Sequence, residues 1–269
     1  MNPAPHDRRS GVAAPQKVFI TGASSGIGEA LARHYAGNGA VVGLYARRAG
    51  ELARVAAALA ATAPLTYAGD VRDAPALAAA AADFIARHGA PDIVIANAGV
   101  SRGTLTEHPQ DIEAFRAVFD TNVMGMVNTF APFAASMQRA RAGSLVGIAS
   151  VAGFRGLAGS GAYSASKAAA ITYLESLRLE MRPFGVAVVT ICPGYVATPM
   201  TARNPYRMPF LMRADTAAAK IARAITHRRR FYVLPWPVAL AGRVLRALPR
   251  PLYDALFAGA ARKPRSDDG

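Results

Sequence analysis

Val18-Phe19-Ile20-Thr21-Gly22-Ala23-Ser24-Ser25-Gly26-Ile27-Gly28 is the stretch whose reading decides the architecture. A short apolar, β-branched run passes directly into Gly-x-x-x-Gly-x-Gly, and a helical pattern follows without a break. Glycines let the chain turn tightly and approach a pyrophosphate closely. The helix that follows offers free N–H groups and a partial positive charge at its start. A glycine-rich turn alone is weak evidence; set between a first strand and a first helix it reads as a dinucleotide turn.

Outward from that unit the same alternation repeats. Strands are expected at residues 18–21, 40–45, 65–68, 93–96, 144–149, 186–191 and 231–234, with helices at 26–36, 49–61, 74–88, 110–138, 163–182 and 216–227. Several strands are nearly continuous apolar runs, the pattern of strands covered on both faces. The expectation is an α/β, single-domain Rossmann fold: a doubly wound, seven-stranded parallel sheet with helices on both faces and right-handed crossovers. Ligands of such sheets bind beyond the carboxyl ends of the strands. Residues 1–16, polar and Pro-rich, read as a flexible leader, 17–234 as the catalytic domain, and 235–269 as an amphipathic basic extension.

Composition excludes several classes. The chain has 269 residues, 52% hydrophobic and 18% charged, which is far from a disordered composition. No secretory signal and no charge-free apolar stretch of spanning length is visible. The lone Cys192 cannot form an intrachain disulfide and suits a cytoplasmic location. Five scattered histidines show no ligand spacing, so no metal is expected. The net charge is +14, and from Thr201 onward 14 Lys/Arg stand against 4 Asp/Glu. That asymmetry fits a solvated arginine-rich surface or attraction to anionic headgroups. No nucleic-acid-binding module accompanies it.

The second strand ends in Ala46-Arg47-Arg48. An acid in this position would bind a ribose 2′-hydroxyl; two guanidinium groups suit a 2′-phosphate instead. NADP(H) is therefore expected over NAD(H). Farther along, Tyr163-Ser164-Ala165-Ser166-Lys167 opens a helix, so Tyr163 and Lys167 share a face. A tyrosine titrates near pH 10, and a neighbouring ammonium is expected to lower that value towards useful proton transfer.

With these motifs in order, the chain resembles the short-chain dehydrogenase/reductase family, in its compact branch, over residues 17–234. The matching segments are Thr21 to Gly28, Asp70 after the third strand, Asn97-Ala98-Gly99, Asn122 in Thr121-Asn122-Val123, Ser150 ahead of Tyr163, and Pro193-Gly194 with Thr198. The resemblance implies catalytic roles for Asn122, Ser150, Tyr163 and Lys167. Tyr163 would donate a proton to a carbonyl oxygen, or remove one from an alcohol, as hydride moves at the nicotinamide C4. Ser150 would orient the substrate oxygen, Lys167 would bind the nicotinamide ribose and depress the Tyr163 pKa, and Asn122 would anchor a relay water. Cofactor contacts are expected from Gly22, Ser24, Ser25, Gly26, Ile27, Gly28, Arg47, Arg48, Asp70, Val71, Asn97, Ala98 and Gly99. Tyr163, Lys167, Pro193, Gly194, Val196 and Thr198 complete them. Thr21 and Asn97 read chiefly as structural groups of the turn and the central strand.

The expected activity is reduction of a ketone or aldehyde, or the reverse oxidation of a secondary alcohol. A lipid- or steroid-type alcohol dehydrogenase at a membrane surface is the alternative. A non-catalytic dinucleotide sensor is disfavoured by the intact Tyr163/Lys167 pair. The family also implies a homodimer or homotetramer. Two regions stay open. Residues 199–213, with Met200, Tyr206, Met208, Phe210, Leu211 and Met212, form either a lipophilic lid or ordinary pocket packing. Residues 235–269 pack on the protein, lie peripherally on a membrane, or form a mobile tail.

Overall fold

The structure is a computed structural model and describes residues 14–202, 204, 206–259, 262, 263 and 265. Most of the expected leader, residues 1–13, lies outside the described residues.

The strand quoted first, β1 (Lys17–Thr21), shows why the sheet is covered on both sides. Val18 and Ile20 point into one apolar cluster and Phe19 into the other, as alternation along a strand requires. Around it lie β2 (Val41–Ala46), β3 (Leu65–Ala68), β4 (Ile93–Ala96), β5 (Ser144–Ile148) and β6 (Ala187–Pro193). A short pair follows, β7 (Val196–Ala197) with β8 (Met212–Arg213), and β9 (Phe231–Leu234) ends the main sheet. The main sheet is seven-stranded and parallel throughout, ordered β3-β2-β1-β4-β5-β6-β9. The strand order reverses between β1 and β4, and a crevice opens there beyond the carboxyl ends.

Helices α1 (Gly26–Gly37) and α2 (Ala49–Ala58) pack on one face together with α7 (Ala214–Thr226), through Leu31, Tyr35, Leu52, Ile221 and Ile225. The other face carries α3 (Ala74–His88), α5 (Gly125–Ala140) and α6 (Gly161–Met181), through Phe84, Phe130, Phe133 and Leu174. Phe19 is the hub of that layer, with Phe133 and Phe84 ring centres 4.8 and 5.5 Å away. The edge strand β3 alternates between half-buried and exposed, and β9 is partly exposed, because an edge lacks one neighbour.

Two expected helices differ in form. The single helix over 110–138 is α4 (Asp111–Phe119), a π-helical turn (Asp120–Met124) and α5. Gly125 seats against Val71 there, and the turn presents Asn122 to Val100 in the loop after β4. The helix expected from Tyr163 begins two residues earlier, at Gly161.

Beyond β9 the chain forms α8 (Trp236–Ala247) and α9 (Arg250–Phe257). One face of α8 rests on the domain: Val238 lies beside Gly194 and Gly242 beside Phe154. Arg155 reaches over to cap the end of α8, donating to the carbonyls of Leu245 (2.8 Å) and Leu248. The Tyr253 hydroxyl donates to the Gly156 carbonyl at 2.6 Å. The opposite face leaves Trp236, Leu240, Val244, Leu252 and Leu256 exposed. Among the described residues no helix is long and apolar enough to cross a membrane.

Candidate active site

The nucleotide end is built by the turn after β1. Gly22 sits at φ 68°, and a side chain there would strike the Ala98 backbone at 2.8 Å. Gly28 is hemmed in by the Gly22 carbonyl and by Asn97 Nδ2. Asn97 Nδ2 donates to the carbonyls of Thr21 (3.0 Å) and Gly22 (3.2 Å), and Thr21 Oγ1 accepts from the Asn97 amide at 3.3 Å. Both residues therefore tie the ends of β1 and β4 together. Ser25, at the start of α1, makes no side-chain cap, so the first amides of that helix face the cavity. A backbone cradle that side chains would fill, at a helix N-terminus, fits a dinucleotide pyrophosphate.

Arg48 donates to Ser25 Oγ (3.0 Å) and Ser24 Oγ (3.3 Å), which places its guanidinium over the turn. Arg47 lies half-exposed, 3.7 Å from Asp70. The Asp70 carboxylate is turned away into Arg72, accepting from its backbone amide (3.0 Å) and guanidinium (2.8 Å). Burial pulls the Asp70 carboxyl up, but those bonds and the nearby guanidinium charges hold it below its ordinary value.

A cavity of about 240 Å³ joins this end to the chemical end. It brings together Gly22, Ser24, Ser25, Gly26, Ile27, Arg47, Arg48, Val71, Asn97, Ala98, Gly99, Ser150, Tyr163, Lys167, Pro193, Gly194, Val196 and Thr198. Three expected residues do not line it. Gly28 lies under the turn, Asp70 is held by Arg72, and Asn122 lies behind the wall. Sequence reasoning missed Ala46, Gly69, Val100, Thr121, Ile148 and Ala149, while Pro199, Met200 and Thr201, also in the lining, belong to the 199–213 loop read as a lid or pocket packing. Most of them adjoin a quoted motif, so extending each motif by one or two residues past its strand end would have found them. Thr201 Oγ1 donates to the Val196 carbonyl at 2.6 Å and accepts from the Thr198 amide at 3.0 Å, which sets Thr198 against Gly26.

At the chemical end Ser150 closes β5, its Oγ accepting from the Ala152 amide at 3.1 Å. Lys167 Nζ donates to the Ile148 carbonyl at 2.8 Å and lies 5.8 Å from the Tyr163 ring centre. Asn122 holds Val100 from both sides, accepting from its amide (2.8 Å) and donating to its carbonyl (3.0 Å), and donates to Ser166 Oγ at 3.0 Å. In the chain itself Asn122 is thus a positioning group for the loop after β4.

The electrostatics differ from the sequence expectation. Burial pushes the Tyr163 phenol up from its ordinary value, and the Ser150 hydroxyl only partly opposes this. Lys167 was expected to pull it down; instead burial pulls Lys167 itself down to about 8. Both groups share one dry wall, where desolvation is the largest influence on each, and the Lys167 ammonium is bonded to a carbonyl. Cys192 behind them is pushed up to about 12 by burial. Among the described residues no cluster of His, Cys, Asp or Glu could hold a metal ion.

A parallel sheet with a glycine-turn cradle leading to Ser150, Tyr163 and Lys167 defines a dinucleotide-dependent oxidoreductase. The family model for short chain dehydrogenase matches residues 16–208, and the chain belongs to that family. It is 40% identical over 252 residues to an uncharacterized oxidoreductase of Myxococcus xanthus, covering 92% of this chain and 97% of the relative. Cis-4-hydroxycyclohexanecarboxylate dehydrogenase of Sinomonas cyclohexanicum is 32% identical, over 78% of this chain and 85% of its own. A short chain dehydrogenase/reductase from Burkholderia phymatum, solved in complex with NAD, superposes with a TM-score of 0.79 at 26% identity, covering 94% of this chain and 98% of that one. The protein is accordingly an NAD(P)-dependent enzyme acting on alcohol or carbonyl groups.

Proposed function

We propose that this enzyme is an NADP(H)-dependent carbonyl reductase, interconverting a ketone or aldehyde with its alcohol. The observation that carries the cofactor choice is Arg48, bonded to Ser24 and Ser25 above the turn, with Arg47 beside it and no acid at the end of β2. The bound cofactor supplies hydride at the nicotinamide C4. Ser150 and Tyr163 hold the substrate oxygen, and Tyr163 Oη gives it the proton. Lys167 orients the nicotinamide ribose, and Asn122 keeps the Val100 loop beside Lys167. Burial raises the Tyr163 phenol from its ordinary value, a direction compatible with its serving as the proton donor in reduction.

Oxidation of NADPH and NADH across a carbonyl panel graded by size and hydrophobicity tests the reading. NADPH is expected to be preferred, and Arg47→Ala/Arg48→Ala to lose about tenfold or more with NADPH while NADH is little changed, since each charged bond to phosphate is worth ~1.5–3 kcal/mol. Equal turnover with both cofactors in the parent enzyme removes the role given to the arginines.

The pH dependence follows from the two shifts. Lys167, pulled down to about 8, carries its charge below that pH and loses it above. Reductive kcat/KM is therefore expected to be level at neutral pH and to decline above about 8 as Lys167 loses its charge, while Tyr163, raised from its ordinary value by burial, does not ionise in that range. A reductive rate that climbs through this range contradicts the assignment.

A second reading, a lipid-type alcohol dehydrogenase working peripherally on a membrane, is favoured by one observation. Trp236, Leu240, Val244, Leu252 and Leu256 are exposed on α8 and α9, among arginines. The hydrophobic end of the same panel distinguishes it. The homo-oligomer implied by the family is supported by exposed Ile112, Phe115, Met124 and Leu179 on and between α4 and α6. A cytoplasmic location goes with the single buried Cys192.

A further inference from the structure

A second cavity, of about 300 Å³, opens on the far side of Ser150 and Tyr163 from the nucleotide turn. Its walls are largely apolar, with Phe154, Leu157, Phe210, Val238, Leu245 and Phe257 among them. Two cations and no Asp or Glu stand among its described lining residues. The first cation, Arg155, is engaged: it caps α8 and stacks 4.8 Å from the Tyr253 ring centre.

The second is Lys263, which arrives from outside the domain. Beyond α9, the backbone of Lys263 lies against Gly159, and its side chain lines the cavity. Arg265 pairs with Gly103 in a β-bridge, and its guanidinium binds both oxygens of Asp111 (Nη2–Oδ1 2.9 Å, Nε–Oδ2 3.1 Å). Both side chains of that ion pair are largely buried, at 14% and 5% exposed. This segment is therefore anchored by Arg265, and Lys263 is free of that task. Its Nζ donates to Ser101 Oγ at 2.5 Å and lies 5.9 Å from the Tyr163 ring centre. That neutral hydroxyl is its hydrogen-bond partner among the described residues, and no acidic side chain faces it in the cavity. Burial pulls the Lys263 ammonium down from its ordinary value. A sheltered ammonium is costly unless an anion pairs with it, and Lys263 lines the cavity beside Tyr163.

We propose that Lys263 is a specificity-determining residue that pairs with a carboxylate on the substrate, so that the enzyme selects carboxylate-bearing ketones and hydroxy acids with an apolar body. This rests on the reading of the site as a carbonyl reductase. The carboxylate would exchange bulk water for the Lys263 ammonium and the Ser101 hydroxyl, and the apolar walls would take the rest of the molecule.

The test uses the full-length enzyme with NADPH, methyl-ketone carboxylic acids of graded chain length, and their methyl esters. The parent enzyme is expected to prefer the acid of matching length over its ester by about tenfold or more in kcat/KM. Lys263→Met, which keeps the apolar stem, is expected to remove that preference through KM while leaving kcat/KM for the esters within about twofold; Lys263→Arg should restore part of it. No acid preference in the parent, or an equal loss on acids and esters in Lys263→Met, overturns the assignment. If neither cofactor supports turnover of any ketone, the carbonyl-reductase reading falls separately. Calorimetric binding of the acids to the full chain with NADP⁺ then decides: loss in Lys263→Met upholds the carboxylate site, and unchanged binding overturns it.

Discussion

Tyr163→Phe is expected to lower turnover by about 10³-fold or more while NADPH affinity stays within a few-fold of the parent enzyme. The substitution removes one oxygen from a wall shared by two cavities and changes nothing else there. General acid–base transfer by a positioned side chain contributes typically ~10²–10⁴-fold, and Tyr163 is also a group proposed to hold the substrate oxygen. Among the described residues the ionisable neighbours are engaged or buried. Lys167 is bonded to the Ile148 carbonyl, and Cys192, pushed up to about 12, lies buried behind it. Lys263, on the other side of the ring, is bonded to Ser101. Steady-state kinetics with a fluorescence titration of NADPH check the two halves of the expectation. Turnover retained to within tenfold would remove Tyr163 from the chemistry, whatever its place in the cavity.

Gly28→Ala is the second large effect, and it acts through the cradle. Its methyl group would be driven into the Gly22 carbonyl and to 2.5 Å from Asn97 Nδ2, the amide that joins β1 to β4. Neither neighbour is the loose end of a flexible chain. Overpacking of this kind costs ~1–3 kcal/mol, on the order of 2–4 °C in Tm for each kcal/mol at this chain length. The turn must also shift where the pyrophosphate is expected, so NADPH affinity should fall by about tenfold or more. Gly50→Ala in α2 meets nothing within 4 Å and should stabilise slightly, as Ala does over Gly in a helix. Thermal unfolding with and without NADPH reads both variants. A Gly28→Ala protein with parental Tm and affinity would show that the turn is looser than its contacts imply.

The features legible in the sequence are those that local spacing controls. The run from Val18 into Gly22–Gly28 must be a strand, a tight turn and a helix, because the apolar period and the glycines leave little else. Tyr163 and Lys167 share a face of α6 by helical geometry alone. A parallel, doubly wound sheet followed from connection rules acting on the alternation of strands and helices, whereas the order β3-β2-β1-β4-β5-β6-β9 came from the structure. The π-helical turn at Asn122 was not legible. It depends on Gly125 meeting Val71 and on Asn122 gripping Val100, contacts between segments that adjacent sequence does not specify.

The proton-transfer pair shows the same division. Residue types and spacing identified Tyr163 and Lys167, and general chemistry suggested that the ammonium would lower the phenol's pKa. Which influence dominates depends on how dry the wall is, and dryness is a property of the packed molecule. The extension beyond β9 divides likewise: its amphipathic pattern was visible, but three placements were open to it. Only the packed chain puts Gly242 on Phe154, Arg155 at the end of α8 and Arg265 in the grip of Asp111, 154 residues away. Apolar period and glycine spacing determined the Rossmann architecture and the glycine turn, because these are set by interactions within a turn of helix or a strand; the proposed reacting residues were picked out by the ordered motifs shared with the family. The tertiary structure decided the upward direction in which burial shifts the tyrosine and the presence of Lys263 beside it, because burial and long-range pairing exist only once distant segments have met.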